Sequence, residues 1–202
     1  MLRSNFSHSN FEAGVDEAGR GSLAGPVTAA AVIFPKDYRN DELDDSKKLS
    51  EKKRFELKKI IEREALDFSV FFISSKVIDK INILNSSIKA MHGAIGMLKL
   101  KPNFILVDGN NFKKYNEINH KCIIKGDGKY QNIAAASILA KTYRDIHMKK
   151  LHKEFPIFNW NKNKGYGTKF HINMIKEHGK SDQHRQTFIL KQLRLKLNFN
   201  NA

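Results

Sequence analysis

At 202 residues, 41% hydrophobic and 28% charged, the chain is long enough for one α/β domain with a real core, and its composition excludes a disordered polymer. Lys and Arg number 36 against 21 Asp and Glu, so the formal charge of +15 favours a polyanionic partner, nucleic acid or an anionic membrane surface. No apolar run nears the ~20 residues that span a bilayer, Met1 to Phe11 lacks the apolar stretch of a signal peptide, and the single Cys122 can make no internal disulfide, so a cytoplasmic protein without membrane contact is expected.

In chain order, Phe11 to Asp16 reads as a strand entering a glycine-rich loop, Gly19 to Gly25. Val27 to Phe34 reads as a buried strand ended by Pro35. Ser50 is placed as the N-cap of a helix with Glu51 in its first turn and an apolar stripe of Leu57, Ile60, Ile61 and Ala65. Leu66, Phe68, Val70 and Phe72 alternate as a third strand. Val77, Ile81, Leu84, Ile88, Met91, Ile95 and Leu98 recur at steps of three and four, a core helix with Asn85 and the two serines after it as the candidate break. Phe104 to Val107 is a short strand running into Asp108 and Gly109, and Lys121 to Ile124 another running into Gly126 and Asp127. Ala135, Leu139, Thr142 and Ile146 mark a further helix.

After Pro156 the character changes. Asn159 to Gly167, aromatic and basic, is expected as a surface loop, followed by helices from His171 to His178 and from Gln183 to about Lys196. This order predicts an α/β protein, a mixed β-sheet flanked by helices with a small helical C-terminal extension. Residues 1–155 would form the catalytic domain, and residues 156–202 a substrate-contacting loop and C-terminal helices packed on it.

Asp16, Glu17, Asp108 and Asp127 each fall at the end of an apolar strand beside a glycine-containing turn. Ligands of open α/β sheets gather beyond the carboxyl ends of strands, so side-by-side strands would bring the four together. Adjacent residues of a regular strand face opposite ways, so Asp16 and Glu17 share a site only if the chain twists, which Gly19 and Gly21 permit. Converging carboxylates repel one another unless protons or cations intervene. Hard cations with oxygen ligands, Mg²⁺ or Mn²⁺, suit such a set, and two of them can serve phosphodiester hydrolysis. Asp145, beside Arg144 within a helix, reads instead as a salt-bridging residue.

Asp16-Glu17-Ala18-Gly19-Arg20-Gly21, then Leu23-Ala24-Gly25-Pro26-Val27, resembles the signature of ribonuclease HII. The resemblance continues at Asp45-Ser46-Lys47-Lys48-Leu49, Val107-Asp108-Gly109-Asn110, Lys125-Gly126-Asp127, Ala135 to Lys141, Lys164-Gly165-Tyr166-Gly167-Thr168 and His178-Gly179, in the family's order. It implies a ribonuclease H-like fold and an endonuclease that hydrolyses the RNA strand of RNA–DNA hybrids. It also implies cutting 5′ of ribonucleotides in duplex DNA, leaving 3′-hydroxyl and 5′-phosphate ends. Asp16, Glu17, Asp108 and Asp127 would hold two divalent ions, Mn²⁺ or Mg²⁺, Gly19, Arg20 and Gly21 would read the junction ribose, and Tyr166 would pack on the next deoxyribose. The 2′-hydroxyl is what tells RNA from DNA at one nucleotide. Its partners would be RNA–DNA hybrid and ribonucleotide-containing duplex DNA, and the protein is expected to act as a monomer.

Two positions depart from the family pattern, Ser22 where proline is common and Gly128 where serine or alanine is usual. Lys47, with Lys48, reads as a phosphate contact by resemblance or as a solvated basic run. Lys162, Lys164 and Lys169 around Tyr166 suit a nucleic-acid backbone. Trp160 reads as a base-stacking ring or as packing against the sheet. His171, His178 and His184 fit no common zinc spacing, and Gly19, Gly21 and Gly25 do not fit the dinucleotide-loop spacing. Ribonuclease HIII carries an additional N-terminal domain and typically lysine where Arg20 stands. Ribonuclease HI has its second carboxylate far downstream of the first. A non-catalytic basic binding module leaves the four carboxylates unexplained.

Overall fold

Every residue of Val27–Ile33 (β2) is buried, which demands a place inside a sheet rather than at its edge. It pairs antiparallel with Glu12–Ala18 (β1) on one side and with Asp67–Ile73 (β3) on the other. β1 runs parallel to Phe104–Asp108 (β4), and β4 parallel to Asn119–Ile123 (β5), giving the order β3-β2-β1-β4-β5. The structure, a computed structural model, describes residues 1–188.

Helices cover both faces. Glu51–Glu64 (α1) starts at Ser50, whose side chain accepts from Lys53 N as the N-cap reading requires. With Gln131–Glu154 (α3) it buries Ala30 and Val32 under Leu57, Ile61, Ala135, Ile138 and Leu139. Ser75–Met97 (α2) covers the opposite face, where Val15, Ala29, Ala31, Ile105 and Val107 meet Ile88, Met91 and Ile95. Small residues on β2 let the helices approach closely. On β1, the backbone of α3 comes close at Gly14, where a Cβ would lie 2.2 Å from the Asn132 carbonyl carbon in the first turn of that helix.

Three expectations need correction. The break in α2 falls at Asn82 (φ 62°, ψ 169°), a strained backbone conformation that no helix can contain and that kinks α2 there, and not at Asn85 or the serines. Residues 159–167 are not a surface loop throughout. Trp160–Asn163 (α4) is a short helix, and Trp160 is fully buried against Phe158, Met148, Ile172 and Ile175 rather than on the sheet. The proposed helix from Gln183 is absent over 183–188, which make turns and one bridge from His184 to Ala24, while the remainder lies outside the described residues. Lys169–His178 (α5), capped by the Thr168 side chain, agrees with the sequence reading. Among the described residues no helix is long and apolar enough to cross a membrane.

Gly14→Ala should therefore destabilise the fold by about 1–3 kcal/mol, the usual cost of overpacking a tight core. A urea titration checks this, and an unchanged midpoint would mean that α3 yields without cost.

Candidate active site

Register fixes which carboxylates meet. Val15 lies opposite Val107 across the parallel β1–β4 pair, so Asp16 and Asp108, one residue on, stand side by side where that pairing ends. β5 ends in the same direction, and the left-handed Lys125 (φ 54°) turns the chain into a single 3₁₀ turn, Gly126–Gly128, that carries Asp127. Gly126 N donates to Asp108 Oδ1 at 2.7 Å, tying that turn to the end of β4. One oxygen each from Asp16, Asp108 and Asp127 lies within 4.8 Å of the other two.

Glu17 stands apart from this trio. β1 keeps its register with β2 through Ala18, so the pleat alternation is not undone by the following glycines. The Glu17 carboxylate pairs with the Arg20 guanidinium at 3.2 Å, yet it lines the same cleft. Burial first, then the charges of Glu17 and Asp108, hold the Asp16 carboxyl well above the usual carboxylate range. Burial and Asp108 raise Asp127, opposed by Lys47. Lys47 Nζ lies 3.3 Å from Asp127 and 3.6 Å from Asp45, whereas Lys48 pairs with Asp44. An all-oxygen trio of mutually repelling carboxylates, Asp16 and Asp127 buried and Asp108 half-buried, fits a hard divalent cation.

The cleft, of about 520 Å³, is lined by Asp16, Glu17, Gly19, Lys47, Asp108 and Tyr166 among the residues read from the sequence. Ser46, Ser137 and Lys141, which the sequence placed in the family's motifs without a role, also line it, as does Arg54, which the sequence did not single out. Asp145 explains two of them. It is buried as a salt-bridging residue should be, holding Lys141 at 2.6 Å and Arg54 at 3.9 Å. Lys141 and Asp145 stand four apart on α3, a legible helical pair, but Arg54 comes from another element and could not be assigned without the fold.

The glycine-rich loop lies beside the cleft and rests on two buried arginines. Arg144 donates to the carbonyls of Ala24, Pro26 and Lys164 and to Ser22 Oγ. Gly19 (φ +93°) must be glycine, because a Cβ would lie 2.0 Å from Arg144 Nε. Ser22 is thus a buried acceptor, and Gly128 faces open space. Arg20 and Gly21 are exposed.

Tyr166 is 37% exposed, with Lys141 Nζ and Arg144 Cζ 5.8 and 5.4 Å from its ring centroid. Its carbonyl meets His171 Nδ1 at 2.9 Å. Trp160 Nε1 donates to His171 Nε2, which lies 3.1 Å from His184 Nε2, and Ser181 N donates to His184 Nδ1. One proton placement satisfies all of these: His171 protonated at Nδ1, His184 at Nε2, both neutral. The two histidines are core residues, while His178 is exposed. Lys162 and Lys169 are exposed near Tyr166, but Lys164 is buried, 3.8 Å from Glu51, and is no free backbone contact.

Comparison with known proteins adds lineage to geometry. The family profile of Ribonuclease HII matches residues 13–191. Ribonuclease HII of Bacteroides thetaiotaomicron is 55% identical over 200 residues, covering 98% of this chain and 100% of the relative. Among solved structures, ribonuclease H2 from Pyrococcus horikoshii superposes with a TM-score of 0.75 at 24% identity, covering 95% of this chain and 100% of its own. The ribonuclease HII in a PCNA complex from Archaeoglobus fulgidus also gives 0.75, at 27% identity, covering 90% and 96%. The mixed sheet is therefore ribonuclease H-like.

Burial depresses both core histidines, His184 to about 4, aided by His171 and Lys180. A neutral-only site contributes stability above the unfolded value of about 6.5 and loses it as pH falls towards the folded value. The urea midpoint of the wild type should fall between these limits, and His184→Gln should flatten part of that fall. Parallel profiles for the two proteins would show that the pair does not titrate on unfolding.

Proposed function

The chain belongs to the ribonuclease HII family, and from that premise we propose that its carboxylate cleft cuts the strand 5′ of a ribonucleotide, in RNA–DNA hybrids and in duplex DNA. The protein is a hydrolase, an endonuclease acting on RNA–DNA hybrids. One observation carries metal-dependent hydrolysis at this cleft, three carboxylate oxygens within 4.8 Å of one another, while the choice of a ribonucleotide rests on the family and on the loop beside the cleft.

Asp16, Asp108 and Asp127, with Glu17 at the side, would hold two divalent cations, Mg²⁺ or Mn²⁺. Such ions supply an activated water and neutralise charge on the leaving oxygen of a phosphodiester, leaving 3′-hydroxyl and 5′-phosphate ends. The protein's own groups do the rest. Lys47, 78% exposed on its side chain, offers an ammonium to a phosphate, and Lys141 and Arg54 supply further positive charge on the wall. Gly19, Arg20 and Gly21 bring backbone polar groups close to the ribose, and Tyr166 offers a flat ring to the sugar that follows. Residues 1–155 supply the carboxylates, and the segment after Pro156 supplies Tyr166. Each of these groups comes from one chain, so a monomer suffices.

The direct test is a duplex DNA with a single ribonucleotide, incubated with Mn²⁺ and mapped for the cut. Cleavage 5′ of the ribonucleotide that stops with chelator is expected, and full activity in excess chelator would sink the metal reading. Asp108→Asn should keep most substrate affinity while cleavage falls by about two orders of magnitude or more, since it removes a charge from the reacting centre. Unchanged turnover would remove Asp108 from the site.

Tyr166→Ala changes no proposed ligand and should leave Mn²⁺ binding intact. Misplacing the sugar by ~1 Å can cost ~10²-fold, so a large loss is expected on a single ribonucleotide. A smaller loss is expected on a continuous hybrid, where no deoxyribose follows the cut. Equal losses on both substrates would assign Tyr166 to general upkeep of the cleft.

A further inference from the structure

We propose that Arg185 is a positioning residue for ribose recognition: from inside the protein it turns the peptides of Gly19 and Arg20 so that the N–H groups of Arg20 and Gly21 face the substrate. This rests on the ribonuclease reading above and names a residue that touches no substrate.

Arg185 is fully buried and forms no salt bridge among the described residues. Its guanidinium is spent on one loop. Nη1 donates to Arg20 O at 2.7 Å, Nη2 to Gly19 O at 2.6 Å and Gly25 O at 3.1 Å, and Nε to Gly25 O at 3.2 Å. A planar fork with several donors holds carbonyls at set angles, which a lysine ammonium cannot do. The loop needs such restraint because Gly19, Gly21 and Gly25 leave its backbone many conformations.

Peptide geometry carries the consequence across the loop. In a trans peptide the C=O of one residue and the N–H of the next point in opposite directions. With Gly19 O and Arg20 O drawn inward onto Arg185, the N–H groups of Arg20 and Gly21 are aimed outward. Neither donates to a protein acceptor among the described residues, although Ser22 N closes a turn onto Gly19 O. Two adjacent unspent donors on exposed residues beside the carboxylate cleft suit a ribose hydroxyl or its phosphate.

A second support is the cost of the arrangement. Burial, with Arg144 nearby, pulls the Arg185 pKa down to about 9. A buried cation without a carboxylate partner is a poor way to stabilise a fold. Charge-assisted bonds to three carbonyls of one loop are a strong way to fix that loop. Arg185 N also donates to Leu23 O at 2.9 Å, so backbone and side chain both anchor the same segment.

The test compares Arg185→Lys and Arg185→Met with the wild type and with Leu57→Ala, a core truncation under α1 that lowers stability without touching the loop. Mn²⁺ affinity by calorimetry should be unchanged in all four. On a duplex with one ribonucleotide, both Arg185 variants should lose about tenfold or more in kcat, since the loop's donors are no longer held in place, with KM changing far less. Leu57→Ala should keep the wild-type kcat once assayed below its melting temperature. Wild-type kcat in Arg185→Lys, or a loss in step with that of Leu57→Ala, overturns the proposal.

Should either variant fail to fold, the wild type still decides. In EDTA, the Arg20 and Gly21 amide resonances should shift more on titration with the ribonucleotide duplex than with its all-deoxy counterpart. Equal shifts overturn the outward-donor geometry. A wild type that cuts neither substrate would sink the nuclease reading itself, a result separate from either outcome for Arg185.

Discussion

Carboxylate oxygens of Asp16, Asp108 and Asp127 lie within 4.8 Å of one another, where burial removes much of the water that would screen them. Repulsion of this kind spreads a flexible site apart. Here the side chains stand on elements that cannot yield independently: Asp16 and Asp108 on paired parallel strands, Asp127 on a turn pinned to Asp108 through Gly126 N. Burial first, and like charges second, hold the Asp16 and Asp127 carboxyls up, and the nearby Lys47 ammonium offsets part of the effect on Asp127. The buried β2 and the close seat of α3 on Gly14 are what make the strand ends stiff enough to hold like charges together.

A second constraint is that carboxylates meet any phosphodiester alike. Selection of a sugar has to come from uncharged groups with set directions, and the chain builds these on a different support. The loop of residues 19–26 and the segment carrying Tyr166 are joined through Arg144, which bonds Ala24 and Pro26 on one side and Lys164 on the other. His171 fixes the Tyr166 carbonyl from below. The buried Trp160, His171 and His184, bonded to one another, form the floor under an exposed ring, and Trp160 has no face free for a base.

The formal charge of +15 is used unevenly. Lys47 and Lys141 reach the cleft, Lys48 is spent on Asp44, and Lys164 and two arginines are buried. A net charge thus predicts a polyanionic partner without saying which cations meet it.

By itself the sequence determined the order of strands and helices, the Ser50 cap and the glycine-flanked carboxylates, because alternation, helical periodicity and turn chemistry are local properties. The ordered motifs also carried the family resemblance. Only the tertiary structure decided that three of the four carboxylates meet while Glu17 turns to Arg20, since that depends on register between distant strands. It likewise decided that α2 breaks at Asn82, that Trp160 is interior, and that residues 183–188 are turns wrapped on the glycine-rich loop. Arg144 and Arg185 look in the sequence like any surface arginine. Most of their partners are backbone carbonyls of the glycine-rich loop, more than 100 positions away, and no local pattern encodes a bond to a carbonyl that every residue possesses.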